Sequence, residues 1–114
     1  MLDKRQWQRL DVDLSAVCSC SSLPKEKFSL RVININETGT CCVVPLGLKL
    51  GQKISFEMEL PGRGIVRAVM KVVWSGYFER EGEYRAGLKI VEMPDHDLGV
   101  FLAYYRSHFL RHGI

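Results

Sequence analysis

The sequence predicts an all-β domain, an antiparallel barrel or sandwich accompanied by one C-terminal helix. Three observations carry this. Apolar residues recur at every second position through most of the chain. Turn residues punctuate the runs at Asn36–Gly39, at Pro61–Gly64 and around Gly82. After Pro94 the apolar period changes from two to three and four.

The first strand is read from Leu10, Val12, Leu14 and Ala16, which alternate with Asp11, Asp13 and Ser15. "CSCSSLPKEK" (18–27) reads as a loop. Phe28, Leu30 and Val32 then alternate with Ser29 and Arg31 in a second strand. "NETG" (36–39) is turn chemistry, because Asn tolerates left-handed backbone and Gly adopts it without strain. "TCCVVPL" (40–46) reads as a short buried strand, and "LGLKLGQK" as a connection. Ile54, Phe56, Met58 and Leu60 alternate with Ser55, Glu57 and Glu59. "PGRG" turns the chain into "IVRAVMKVVW", a strand ending at Trp74. "EREGE" marks a hairpin, and "YRAGLKIVEM" is the last strand.

The helix is expected over residues 94–112. Pro94 suits its first turn, and Asp95 and Asp97 complement the positive end of its dipole. Leu98, Phe101, Leu102, Tyr105 and Phe109 form one apolar stripe, with Arg106, His108, Arg111 and His112 toward the negative end. The stripe is expected to pack on the chain's own sheet, with a dimer contact as the alternative use.

Composition bounds the function. A length of 114 residues fits one domain spanning 1–114, and 46% apolar with 25% charged residues is globular. No apolar run reaches the ~18 residues that would span a bilayer. The N-terminus has no apolar core of a secretory signal. Four cysteines, at Cys18, Cys20, Cys41 and Cys42, lack the C-x2-C spacing of zinc or redox motifs and read as free thiols of a reducing cytoplasm. A net charge of +3 and a pI of 8.7 are too weak for bulk binding of DNA or RNA, but allow a local anion site.

No hydrolase, metalloprotease or phosphate-loop pattern occurs. His96, His108 and His112 all sit in the helix region, and Glu79, Glu81 and Glu83 crowd one hairpin tip. No nucleophile has a base, so the expectation is a protein that is not an enzyme, with no metal and no cofactor.

Two short stretches remain. "KRQWQR" (4–9) places Lys4, Arg5 and Arg9 just before the first strand. Arginine's planar fork matches phosphate oxygens, and its flat face stacks on a base. "NINETG" (34–39) holds Asn34, Asn36 and Gly39 at a strand end; an Asn carboxamide can pair with a guanine edge, and a glycine allows close approach. Each stretch alone also reads as a solvated tail or an ordinary turn.

Together, in this order, they resemble the PilZ domain, a bacterial receptor module for cyclic di-GMP. Its signature is R-x-x-x-R followed by D/N-x-S-x-x-G. Arg5-x-x-x-Arg9 matches the first part, with Lys4 as an extra cation and Trp7 between. Asn34-x-Asn36-x-x-Gly39 matches the second, with Asn36 where the pattern prefers serine. "VVWSG" and "YRAGLKI" are similar to the family's closing strands.

The resemblance implies a six-stranded antiparallel β-barrel with a C-terminal helix. It implies that Arg5 and Arg9 grip guanine and phosphate as a flexible N-terminal segment, residues 1–10, orders over the ligand. Asn34 would bind a guanine edge, Asn36 would hydrogen-bond, and Gly39 would keep the turn open. The implied role is a cytoplasmic second-messenger receptor, monomer or weak homodimer, that passes a conformational change to an effector protein in motility or biofilm regulation. The alternative is a ligand-independent adaptor in pilus or flagellar systems.

Overall fold

A computed structural model describes residues 9–20 and 23–112. Six strands precede one helix: β1 (Leu10–Cys20), β2 (Leu23–Asn36), β3 (Gly39–Val44), β4 (Lys53–Leu60), β5 (Gly64–Phe78), β6 (Glu83–Glu92) and α1 (Asp95–His112). Every pairing is antiparallel, and the strands close into a barrel in the order β1-β2-β3-β6-β5-β4. Closure joins β1 to β4 through Ala16 opposite Met58, Cys18 opposite Phe56 and Cys20 opposite Ile54. A barrel leaves no strand edge to template aggregation.

Alternation decides what lies inside. Ile54, Phe56, Met58 and Leu60 of β4 are buried, as are Val66, Ala68, Met70 and Val72 of β5. Leu30, Val32, Cys42, Val44, Ala86 and Leu88 complete the wall. Each large side chain so buried contributes roughly 1.5–3 kcal/mol.

The expected loop from residue 18 is corrected at its start. Cys18 and Cys20 belong to β1 and are 1% and 6% exposed. "CSC" looks like a turn, but cysteine packs as a small hydrophobe and continues the inward alternation of Leu14 and Ala16. β2 likewise starts earlier, at Leu23, and β5 runs past Trp74 to Phe78.

Helix α1 packs on its own barrel. Phe101, Tyr104 and Tyr105 are buried in the shared core. Polar contacts tie it to three turns or strand ends. The Arg67 amide donates to Asp97 Oδ2 at 2.7 Å, Arg63 Nη2 donates to Ser107 Oγ at 3.4 Å, and Arg106 pairs with Glu37 at 3.5 Å. These positions lie in the first part of β5, the β4–β5 turn and the β2–β3 turn, so the helix covers that end of the barrel.

Phe101 is 1% exposed and is the helix's deepest anchor. Replacing it with alanine is expected to cost about 3–5 kcal/mol, read as a fall in the urea unfolding midpoint. A change under about 1 kcal/mol would mean that the helix is dispensable to the core.

Candidate functional site

The second motif acquires its geometry from an irregularity in β2. Leu30 and Val32 point inward, and regular alternation would send Asn34 inward as well. Instead, both neighbours of β2 shift register around Ile33. Val32 faces Leu14 and Cys42, whereas Asn34 faces Asp11 and Cys41. The chain changes phase there, and Asn34 emerges on the outer face while Ile35 returns to the core at 0% exposure. A bulge that re-aims a side chain in this way is a recurrent feature of functional sites. It is written in the sequence: the apolar run 28, 30, 32 changes phase to 33 and 35.

Asn34 lies directly across from Cys41 on β3, and its carboxamide favours the Cys41 thiolate. Cys41 is half-buried, and its neighbours define the spot. Burial raises its pKa, while the Arg85 and Arg9 guanidiniums and the Asn34 carboxamide pull it back down. Arg9, exposed and immediately before Leu10, which pairs with Ile35, stands beside the Asn34–Asn36 stretch of β2 and close enough to Cys41 for its charge to act there. Of the first half of the sequence signature only Arg9 is described, and strand pairing sets it on the face that carries the second half. Arg5 and Lys4 lie outside the described residues.

Asn36 and Gly39 serve the turn that carries this face. Asn36 Oδ1 accepts from the Thr38 amide at 2.8 Å, the Thr38 hydroxyl at 3.0 Å and the Gly39 amide at 2.9 Å. That leaves the side-chain NH2 as the donor it can offer outward. Gly39 is buried, and a Cβ there would overlap the Leu88 carbonyl oxygen of β6. Its glycine is thus required by the close approach of β3 to β6.

Sequence reading missed the far side of the face. Continuing across the sheet, Cys41 lies opposite Gly87 on β6, and Gly87 lies opposite Trp74 on β5. The Trp74 indole lies over Gly87 so closely that any Cβ would collide with it, yet the ring remains 41% exposed. Arg85 is held by Glu83 at 2.7 Å and lies 4.6 Å over the Phe78 ring, so much of its charge is already engaged. A tryptophan four residues before a strand's end, facing a glycine on its neighbour, could have been found only with the register in hand.

Two other features lie apart from this face. Among the described residues no group of three or more side chains is arranged to hold a metal ion, and no helix is long and apolar enough to cross a membrane. An open groove of 740 Å³, between the outer sides of β4–β5 and the 91–94 connection, contains none of the motif residues.

The family model for the PilZ domain matches residues 3–107. The chain belongs to the PilZ domain family. Three solved structures share the fold. The Bacillus subtilis inhibitor of motility (MotI/DgrA) aligns with a TM-score of 0.83 at 19% identity, over 97% of this chain and 54% of that one. The PilZ domain of Escherichia coli YcgR, solved with c-di-GMP, aligns at 0.67 and 8% identity over 96% and 97%. The K. pneumonia MrkH–c-di-GMP complex aligns at 0.70 and 11% identity over 96% and 53%. This PilZ domain thus spans about half the length of the Bacillus and MrkH chains. No curated protein matches its sequence. The six-stranded barrel with its C-terminal helix, expected from the resemblance, is the fold found.

Two outcomes follow for the face itself. Gly39→Ala must push β3 from β6, so its thermal midpoint is expected to drop by at least about 8 °C, the equivalent of roughly 2 kcal/mol; an unchanged midpoint would refute the close approach. Cys18, Cys20 and Cys42 are buried, and burial pushes Cys42 up to about 12. Iodoacetamide at pH 8 should therefore modify Cys41 first in the native PilZ domain, as read by peptide mass spectrometry. Equal labelling of Cys18 or Cys42 would contradict the burial pattern.

Proposed function

We propose that this PilZ domain is a receptor for cyclic di-GMP, which it binds on the outer face holding Arg9, Asn34 and Asn36. The observation that carries the reading is the pairing of β1 with β2, which sets Arg9, next to Leu10, beside Asn34 and Asn36 on one outer face; the two residue types, far apart in sequence, are chemically suited to a phosphate and a guanine edge. Arg9 supplies the bidentate cation, joined by Arg5, with Lys4 adding charge. Asn34 offers a carboxamide to the guanine edge, and Asn36 donates through its free NH2. The half-exposed Trp74 ring, on the same outer row, provides a surface for stacking a base.

Nothing in this arrangement calls for a catalytic group; the domain acts by binding. The bound ligand presents a new charged surface, and a partner protein reads that change. Two structural relatives, YcgR and MrkH, were solved with c-di-GMP, which supports this ligand. The Bacillus relative is an inhibitor of motility, which supports motility as the process regulated.

A second reading, a ligand-independent adaptor, is favoured by one observation: Asn36 spends its carbonyl oxygen on three bonds within the turn.

Titration calorimetry separates the two. Cyclic di-GMP is expected to bind the wild type, with Arg9→Ala weakening it at least tenfold, as loss of a charge-assisted bond of about 1.5–3 kcal/mol requires, and Asn34→Ala weakening it by at least about fivefold through loss of a base-edge contact of roughly 1–3 kcal/mol. Absence of binding heat and of thermal stabilisation in the wild type would sink the receptor reading and leave the adaptor.

A further inference from the structure

Three lysines stand in a row on the barrel's outer surface. Lys71 of β5 lies directly opposite Lys53 of β4 and directly opposite Lys89 of β6. All three are exposed, and none has a carboxylate within ion-pair distance among the described residues. Like charges facing each other across strands repel. The alternation that buries Ile54, Met70 and Leu88 would accept any polar residue at these positions, so the fold does not ask for this charge.

The row borders the open groove. One step along the strands lie Ser55, Val69 and Val91, and beyond them Met93 and Pro94, all lining it. Two bulges turn extra valines outward beside the row. Val91 stands where β6 shifts against β5 between Ile90 and Glu92, and Val73 stands where β5 shifts between Val72 and Trp74. They are 42% and 47% exposed. The groove's own carboxylates are Glu57, which Arg67 holds at 3.1 Å, and Glu92 at its end.

We propose that this surface docks an acidic amphipathic helix of a partner protein, with a carboxylate stripe on the lysine row and an apolar stripe in the groove. The dimensions correspond. Strands lie about 5 Å apart, so three lysines span about 10 Å. Side chains at i, i+4 and i+7 of a helix span about 10.5 Å along its axis. A helix laid across β4, β5 and β6 meets each lysine with one carboxylate. The groove runs parallel, about 7 Å away, within reach of the adjacent helix face. Three lysines on a chain of net charge +3 fall short of the basic clusters that hold membranes or nucleic acids. The inference takes from the proposed function only that the domain works through a partner; it does not depend on cyclic di-GMP.

The probe is a fluorescein-labelled 18-residue helical peptide with glutamates at i, i+4, i+7 and i+11 and leucines at i+1, i+5 and i+8. Its control has the same composition with the glutamates dispersed around the helix. By anisotropy in 50 mM salt, the wild type should bind the first peptide at least tenfold more tightly than the second. Lys71→Gln should abolish that preference, while its thermal midpoint rises by about 2–5 °C from relieved repulsion and its cyclic di-GMP calorimetry stays as in the wild type. Lys53→Gln and Lys89→Gln should act in the same direction. Equal binding of both peptides, binding unchanged by Lys71→Gln, or tighter lysine-dependent binding to phosphatidylserine vesicles or duplex DNA would overturn the proposal. So would loss of cyclic di-GMP binding in Lys71→Gln, which would assign the row to the nucleotide. A wild type that binds the peptide but not cyclic di-GMP would remove the receptor reading and leave this surface standing.

Discussion

The candidate site depends on a single change of phase in β2. A strand has two faces and a period of two, so an inserted residue exchanges them for everything that follows. At Ile33 that exchange turns Asn34 outward to Cys41 and returns Ile35 to the core. Without it Asn34 would share the interior with Val32, where an unpaired carboxamide is costly. Core and surface requirements are therefore met by the same irregularity, and it makes Arg9 and Asn34 neighbours.

Pairing of β3 with β6 extends the face. These strands are far apart in sequence, and glycine is required on both. Gly39 lies against the Leu88 carbonyl, and Gly87 lies beneath the Trp74 ring. Through this pairing the motif turn is joined to Trp74 and Arg85, which are otherwise remote from it. The same turn touches the helix, since Glu37 pairs with Arg106. One short strand thus links the motif residues, the aromatic wall and the helix that covers the barrel end. An exposed ion pair contributes little to stability, so the helix is held by Phe101, Tyr104 and Tyr105 rather than by this contact.

Much of this was legible in the sequence, for physical reasons. Period-two runs gave the strands, glycine-rich turns gave the hairpins, and the period change at Pro94 gave the helix. The distinction between barrel and sandwich was not legible, because closure rests on β1–β4 and β3–β6 pairings that no local pattern encodes. Cys18 and Cys20 misled because "CSCSS" has the composition of a turn, while its cysteines are small apolar core residues. Asn34 was chosen from its motif, but the bulge that exposes it was also readable, in the shift of apolar positions at 32 and 33. Asn36 and Gly39 were assigned to a ligand, yet their visible work is to build the turn. Trp74 and the row of Lys53, Lys71 and Lys89 escaped notice because only register aligns them.

The outer face around Cys41 is the proposed ligand site of this PilZ domain. Nuclear magnetic resonance titration of the labelled protein with cyclic di-GMP tests it most directly. The account predicts that the largest shifts fall on the amides of Asn34, Cys41 and Gly87 and on the Trp74 indole N–H, with Ser55 and Val69 in the distant groove unmoved. Shifts centred on the groove, with the Asn34–Cys41–Gly87 row unchanged, would contradict it.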